Sequence, residues 1–341
     1  MNDWVLITGG TGTIGSALAE SYLARKMRVR ILSRDETAQQ ELRLRFERMY
    51  HNHGWPKFDM YRFFLGDVRD SARLLRAMEN VAIVYHAAAL KHVDACEYNP
   101  SEAIATNVGG VQNVINSAIA SGVKAVVNMS SDKAVEPCNL LGATKLVSER
   151  LMAQANSHGR GCRFMSVRFG NVLGSRGSVL RLWDRQMHER GEIEITDPEA
   201  TRFVMSVKQA VELCIIASDG VGGETFVHDM PAVRMRELAD AVISRFEREH
   251  DVHGTVKTKL IGLRPGETLD ESVISQHEAA RTYRFAGVYA ILPNVLFTHL
   301  DYNAVYGKLP KLDRVVNSAQ RWQEAPCNPE YVRRLLREWE V

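Results

Sequence analysis

The stretch Val5-Leu6-Ile7-Thr8-Gly9-Gly10-Thr11-Gly12-Thr13-Ile14-Gly15 constrains the fold more than any other part of the chain. An apolar, β-rich run enters a GxxGxxG loop, and the loop opens into the amphipathic pattern Ile14–Arg25. In that order, backbone N–H groups meet a pyrophosphate at the positive end of a helix. The glycines fall where a side chain would hold the phosphates away. The rhythm continues through the first half. Apolar runs at Arg28–Leu32, Met60–Leu65, Ile83–Ala87, Ala125–Ser130 and Cys162–Arg168 alternate with helical patterns at Ser71–Met78, Ser101–Ser121 and Leu140–Ser157. This alternation predicts an α/β fold with a Rossmann-type, doubly wound parallel sheet.

After Phe169-Gly170 the pattern loosens. Ser206–Ser218 reads as a helix and Glu224–His228 as a strand returning to the sheet. Arg234–His250 reads as a helix, Val256–Ile261 as a strand and Glu330–Trp339 as a helical tail. The expected organisation is a cofactor domain of 1–170 plus about 204–228. A smaller, discontinuous C-terminal substrate-binding part takes about 171–203 plus 229–341.

Composition narrows the partners. A formal charge of +2 over 341 residues favours neither nucleic acid nor a membrane surface, and Arg43–Arg48 reads as a solvated helix face. The five cysteines never form a CxxC pair, so a reducing compartment is expected and zinc is not. His51-Asn52-His53 lacks a second ligand cluster, and no metal is expected there. No basic leader precedes Trp4, and no run approaches the roughly 20 apolar residues of a membrane span, so a cytoplasmic location is expected.

Gly9, Thr11, Gly12, Thr13, Ile14 and Gly15 form the expected phosphate loop. Ser33 and Arg34, at the end of the second strand, favour NADP, because arginine suits a 2′-phosphate; Asp35 leaves NAD open. Asp67-Val68 suits an adenine edge, Ala87-Ala88-Ala89 lets the cofactor pass close, and Asn107 completes the expected cofactor set. The fifth strand ends at Ser130-Ser131-Asp132-Lys133, so these residues should point into the cleft beyond the strand ends, with Lys145 on the next helix.

With TGGTGTIG (8–15), HAAALKHVDACEYNP (86–100), SSDKAVEPCNLLGATK (130–145), RFGNVLGSRGSV (168–179), ITDPEATRF (195–203) and IGLRPGETLDE (261–271), the chain resembles the extended short-chain dehydrogenase/reductases. More narrowly it is similar to the UDP-N-acetylglucosamine 4,6-dehydratases that invert carbon 5. The resemblance implies a redox cycle. Hydride leaves carbon 4 for NADP, the 4-ketone acidifies the carbon-5 proton, water is lost from carbon 6, and hydride returns there. It casts Asp132 as acid, Lys133 as base, Ser131 as partner of the 4-hydroxyl and Lys145 as partner of the nicotinamide ribose. Lys133, where retaining relatives carry glutamate, implies inversion. Asn171, Arg176 and Arg264 match positions near the diphosphate and uridine, Thr196 and Arg202 match the sugar-nucleotide loop, and Val179 and Glu267 are expected among the substrate-binding residues. Lys91 is expected at substrate or cofactor. A homo-oligomer, dimer or hexamer, is implied as well.

Two positions depart from the pattern. Leu141 stands where YxxxK has its tyrosine, although membrane-anchored relatives often carry methionine there. The first base is left open among Asp132, a water held by Ser131, and Lys133. RPGETLDE replaces RPGEKLHE at Thr268 and Asp270, which puts the preferred sugar in doubt. A lysine base needs a depressed pKa and a carboxylic acid a raised one. Burial supplies both shifts, and direct contact between the two opposes them. A UDP-sugar epimerase, a 5,6-dehydratase and a non-catalytic NADP- or UDP-sugar-binding protein stand as rivals.

Overall fold

The computed structural model describes residues 4–53, 60–158, 161–252 and 254–338. The side chain of His53, and Trp339 in the expected tail helix, lie outside the described residues.

The first half folds as the alternation predicts. Strands β1 (Trp4–Thr8), β2 (Arg28–Ser33), β3 (Tyr61–Leu65), β4 (Val81–His86), β5 (Ala125–Ser131) and β6 (Arg163–Phe169) run parallel. Helices α1 (Thr13–Ala24), α2 (Glu36–His53), α3 (Ser71–Ala77), α4 (Val93–Tyr98), α5 (Pro100–Ile104), α6 (Gly110–Ser121) and α7 (Leu140–Ala155) connect them. Strand β1 shows why. Val5 and Ile7 enter the core on the α1/α2 side, while Trp4 and Leu6 enter the core on the α3/α6 side. A period of two buried on both faces suits only a central strand covered by two helix layers. Each fully buried aliphatic side chain there contributes about 1.5–3 kcal/mol.

The expected single helix Ser101–Ser121 is instead interrupted. A π-helical turn at Ala105–Gly109 separates α5 from α6. Periodicity at this scale reads α and π turns alike.

The second half adds β7 (Asn171–Val172), α8 (Val179–Arg190), β8 (Glu192–Ile195), β9 (Thr201–Met205), α9 (Val207–Ala217), β10 (Thr225–His228), β11 (Ala232–Arg234), α10 (Met235–Glu249), β12 (Lys257–Leu260) and β13 (Ser272–Ile274). A hairpin, β14 (Thr282–Phe285) and β15 (Val288–Ile291), follows. Among the described residues the large sheet has nine strands in the order β14-β15-β10-β6-β5-β4-β1-β2-β3. Segment 229–341 therefore also feeds the large sheet, through two antiparallel strands at one end of it, β15 beside β10 and β14 at the edge, that the sequence pattern did not reveal. A smaller layer packs Leu180, Trp183, Ile193, Leu238 and Leu335 into its own core.

One buried ion cluster ties the layers together. Arg168 on β6 is 1% exposed and pairs with Glu149 of α7 at 2.7 Å and with Glu278 at 2.9 Å. It also donates to the Val273 carbonyl of β13 at 2.8 Å.

Candidate active site

The strand order reverses between β1 and β4, and a cleft of about 980 Å³ opens there, beyond the carboxyl ends of the strands. At its floor the loops after β1 and β4 nearly touch. Gly9 has φ +63°, and a Cβ on it would lie 2.7 Å from the Ala88 nitrogen. Gly12 begins α1 without a side-chain cap, so the first N–H groups of that helix face the cleft unclaimed. Ile14, Gly15, Ala87 and Ala89 line the same floor.

At the far end of this floor, Ser33 is buried and accepts hydrogen bonds from Thr11 Oγ1 at 3.0 Å and from the Asp35 nitrogen at 3.1 Å. Asp35 lines the cleft and also caps α2, accepting from the Ala38 nitrogen at 2.9 Å. Arg34 is exposed and reaches Asp67 at 3.5 Å. Val68 is buried beside Asp67, whose carboxyl sits below its usual range chiefly through hydrogen bonds from Arg69.

Asn107, expected at the cofactor, is 2% exposed, stands in the π turn and is set behind the residues that line the cleft. Its amide accepts from the Leu90 nitrogen at 2.8 Å and donates to the Leu90 carbonyl and to Thr144 Oγ1, each at 3.1 Å. It fixes the loop that carries Lys91. Thr196, expected at the sugar nucleotide, stands behind the cleft lining and donates to Glu267, which lines it, at 3.1 Å.

The chemical groups gather at the end of β5. Ser131 Oγ donates to Asp132 Oδ1 at 2.6 Å, and Lys133 Nζ lies 3.2 Å from the same oxygen. Burial pushes the Asp132 carboxyl up, but Lys133 and the Ser131 hydroxyl outweigh it and leave Asp132 below its usual range. Burial opposes the Lys133 charge, yet Asp132 and Glu271 together hold its amine above the ordinary lysine value. A third of the Lys133 side chain is open to the cleft, so solvent softens that hold. The resting pair is thus carboxylate and ammonium, the reverse of the acid and base states expected from the sequence, because the two are in direct contact.

Glu271 is the residue that sequence reasoning missed. It precedes β13, lies 3.4 Å from Lys133 Nζ, and accepts from Asn171 Nδ2 at 2.8 Å and faces Arg202 Nε at 3.5 Å. Burial, with Asp132 beside it, pushes its carboxyl up to about 7. The signal was present at the end of IGLRPGETLDE, where a carboxylate meets a buried strand.

Lys145 donates to the Met129 carbonyl at 2.7 Å, and burial lowers its amine to about 8. Leu141 is 4% exposed and packs with Cys96 and Ala103, one face still on the cleft. Gly142 sits so close beneath the Asp132–Lys133 turn that a Cβ would lie 2.0 Å from the Lys133 carbonyl oxygen.

The opposite wall comes from the second half. Lys91 donates to the Arg176 carbonyl, and the Arg176 nitrogen donates to Thr13 Oγ1 at 3.0 Å, which joins this wall to the glycine loop. Burial, and then Arg176, lower the Lys91 amine. Val179 starts α8 at the rim, where the exposed Arg264 also stands. Arg202 is buried and shared between Glu267 at 3.0 Å and Glu271. Asp270 accepts from Thr201 at 2.7 Å, and the Thr268 carbonyl takes Arg202. Among the described residues no cluster could hold a metal ion, and no helix is long and apolar enough to cross a membrane.

A doubly wound sheet with this loop, and a lysine on the helix after β5, defines the extended short-chain dehydrogenase/reductase class. The chain belongs to the polysaccharide biosynthesis protein family, whose model matches residues 5–293. It is 40% identical over 305 residues to a Campylobacter jejuni UDP-N-acetylglucosamine 4,6-dehydratase (inverting), covering 87% of this chain and 85% of the relative. It is 38% identical over 295 residues to a Rickettsia felis UDP-glucose 4-epimerase, covering 84% and 82%. Among solved structures it resembles Pen from Bacillus thuringiensis, with TM-score 0.88 and 37% identity over 98% of this chain and 97% of that one. Both named relatives are sugar-nucleotide enzymes.

Proposed function

We propose that this protein is an NADP-dependent UDP-N-acetylglucosamine 4,6-dehydratase that inverts carbon 5. The Asp132–Lys133 pair carries the proposal: an acid and a base in contact at the cleft end of β5, beside Lys145. Loss of a 6-hydroxyl needs a proton donor and a carbon-5 base together, and simple 4-epimerisation needs neither.

The nicotinamide cofactor supplies a hydride acceptor at carbon 4 and a donor at carbon 6. The unclaimed N–H groups of α1 suit its pyrophosphate, and Arg34 with Ser33 and Thr11 suits a 2′-phosphate. Asp35 Oδ1 caps α2. In this reading the large sheet carries the cofactor, and segments 171–203 and 229–281 carry the UDP-sugar. Lys145 holds the nicotinamide ribose. Ser131 binds the 4-hydroxyl, its own hydroxyl held by Asp132. Lys133 takes the carbon-5 proton and Asp132 protonates the departing 6-hydroxyl. Arg176 and Arg264 neutralise the diphosphate.

Lys133→Ala tests the central role: carbon-5 deuterium exchange should fall to background while UDP-sugar binding persists. Exchange at an undiminished rate would remove Lys133 as the base. The second reading, a UDP-sugar 4-epimerase, draws on the Rickettsia relative and predicts a product of unchanged mass.

A further inference from the structure

The Asp132–Lys133 contact poses a problem for the proposed chemistry. A carboxylate and an ammonium at 3.2 Å are each held in the charged form that cannot act as acid or as base. The structure supplies a third group. Asp132 Oδ2 is buried and has no hydrogen-bond donor, while Oδ1 receives Ser131, the Lys133 nitrogen and Lys133 Nζ. The Glu271 carboxyl stands across Lys133 from Asp132: Lys133 Nζ is 3.2 Å from Asp132 Oδ1 and 3.4 Å from Glu271 Oε1. Two carboxylates cannot bond to each other, but a carboxylic acid and a carboxylate can.

We infer that Glu271 is a positioning residue that, as a neutral acid, hydrogen-bonds Asp132 and sets the proton count of the Asp132–Lys133 pair. The inference rests on the dehydratase reading. Proton bookkeeping shows what the third group changes. With Glu271 protonated, the resting cluster is Asp132 carboxylate, Lys133 ammonium and Glu271 acid, with no net charge. Transfer of one proton from Lys133 Nζ to Asp132 Oδ1 breaks an N–H bond and forms an O–H bond. The result is a neutral amine base beside a neutral acid, with the same net charge. Desolvation by bound sugar favours this uncharged form. With Glu271 ionised, two carboxylates flank one ammonium, and the amine keeps its proton.

The groups facing Glu271 fit this role. Asp132 and burial oppose its ionisation; Lys133 and Arg202 favour it, and Arg202 is drawn partly away by Glu267. Asn171 donates to its other oxygen at 2.8 Å and fixes the carboxyl without adding charge. The balance leaves the carboxyl near 7, so the neutral form is present in the lower part of the physiological range and disappears as pH rises.

Two experiments test the inference, one needing no turnover. In infrared difference spectra of substrate-free protein, between about pH 6 and about pH 8, a neutral-carboxyl band should be lost as pH rises, and Glu271→Gln should lack that band. No such band in the native protein overturns the proposal, whatever reaction the enzyme catalyses. In turnover, kcat of the native protein should fall about tenfold per pH unit above the Glu271 pKa. Glu271→Gln, which is permanently neutral and still a donor, should remove that alkaline fall. Glu271→Ala should lower kcat on the order of 10–100-fold with little change in KM, and Gln should recover most of the loss. An alkaline limb unchanged in Glu271→Gln overturns the proposal. If the infrared band is present but UDP-N-acetylglucosamine is not dehydrated, the proton on Glu271 stands and the dehydratase reading fails.

Discussion

At the scale of single residues, the site depends on close approaches that leave little room. Gly142 is the clearest case. Its missing Cβ is what allows the first turn of α7 to press on the Lys133 carbonyl. Gly142→Ala should push the Asp132–Lys133 turn out of line and lower kcat on the order of 10–100-fold, since an ångström of misplacement is enough for a loss of that order. The same variant should keep a cooperative melt, measurable by circular dichroism. Selectivity for the cofactor belongs to this scale as well. Arg34→Ala should weaken NADP binding about tenfold or more and leave NAD binding nearly unchanged, because a charged hydrogen bond to a 2′-phosphate has no counterpart in NAD. Titration of both cofactors by fluorescence checks it. Equal losses for the two would mean that Arg34 does not meet the 2′-phosphate.

At the scale of elements, helix α7 is the part most firmly fixed. Glu149, one turn beyond Lys145, is clamped by Arg168, which also holds Glu278 and the backbone of β13 close to Glu271. Glu278→Ala would leave the Arg168 charge underpaired in the core and should cost about 3–5 kcal/mol, read as a lowered denaturation midpoint. Burial resists the charge on Glu278, but Arg168 brings its carboxyl down to about 2 from an ordinary 4.5. The folded value lies below the unfolded one, so this stabilisation is complete above about 4.5 and is lost as pH falls towards 2. Acid unfolding of Glu278→Gln should lack that component. Elements differ in how plainly the sequence announces them. Strands β1, β2, β5 and β6 were legible because nearly every residue in them is buried, and the edge strand β3 because its short run Tyr61–Leu65 is largely aromatic. The hairpin β14–β15 was not: its turn, Ala286-Gly287, has φ of 47° and 77°, and alanine carries none of the turn signal of asparagine or aspartate. The π turn holding Asn107 left no trace either, since it changes hydrogen bonding without changing composition. Asp132, Lys133 and Lys145 were legible from their place after a strand. Glu271 was less so, because its meaning comes from contacts far away in sequence, with Asn171, Arg202 and Lys133.

At the scale of the whole molecule, the cleft is built from two walls that touch across the glycine loop. Arg176 donates to Thr13, and Asn139, which caps α7, donates to the Gly266 carbonyl at 3.0 Å. A ligand on one wall therefore orders groups that the other wall uses. NADP and UDP together should raise the denaturation temperature by more than the sum of their separate shifts, with each ligand at the same multiple of its own Kd. Simple additivity would mean that the two walls bind independently.

In the proposed reaction one cleft oxidises a UDP-sugar, removes its carbon-5 proton and expels the 6-hydroxyl. The most direct test is to incubate the purified protein with UDP-N-acetylglucosamine and NADP in D₂O and follow mass and proton NMR. Loss of one water, deuterium at carbon 5 and a 4-keto-6-deoxy product with inverted carbon 5 are expected. A product of unchanged mass with a new configuration at carbon 4, or binding of both ligands without turnover, would contradict it.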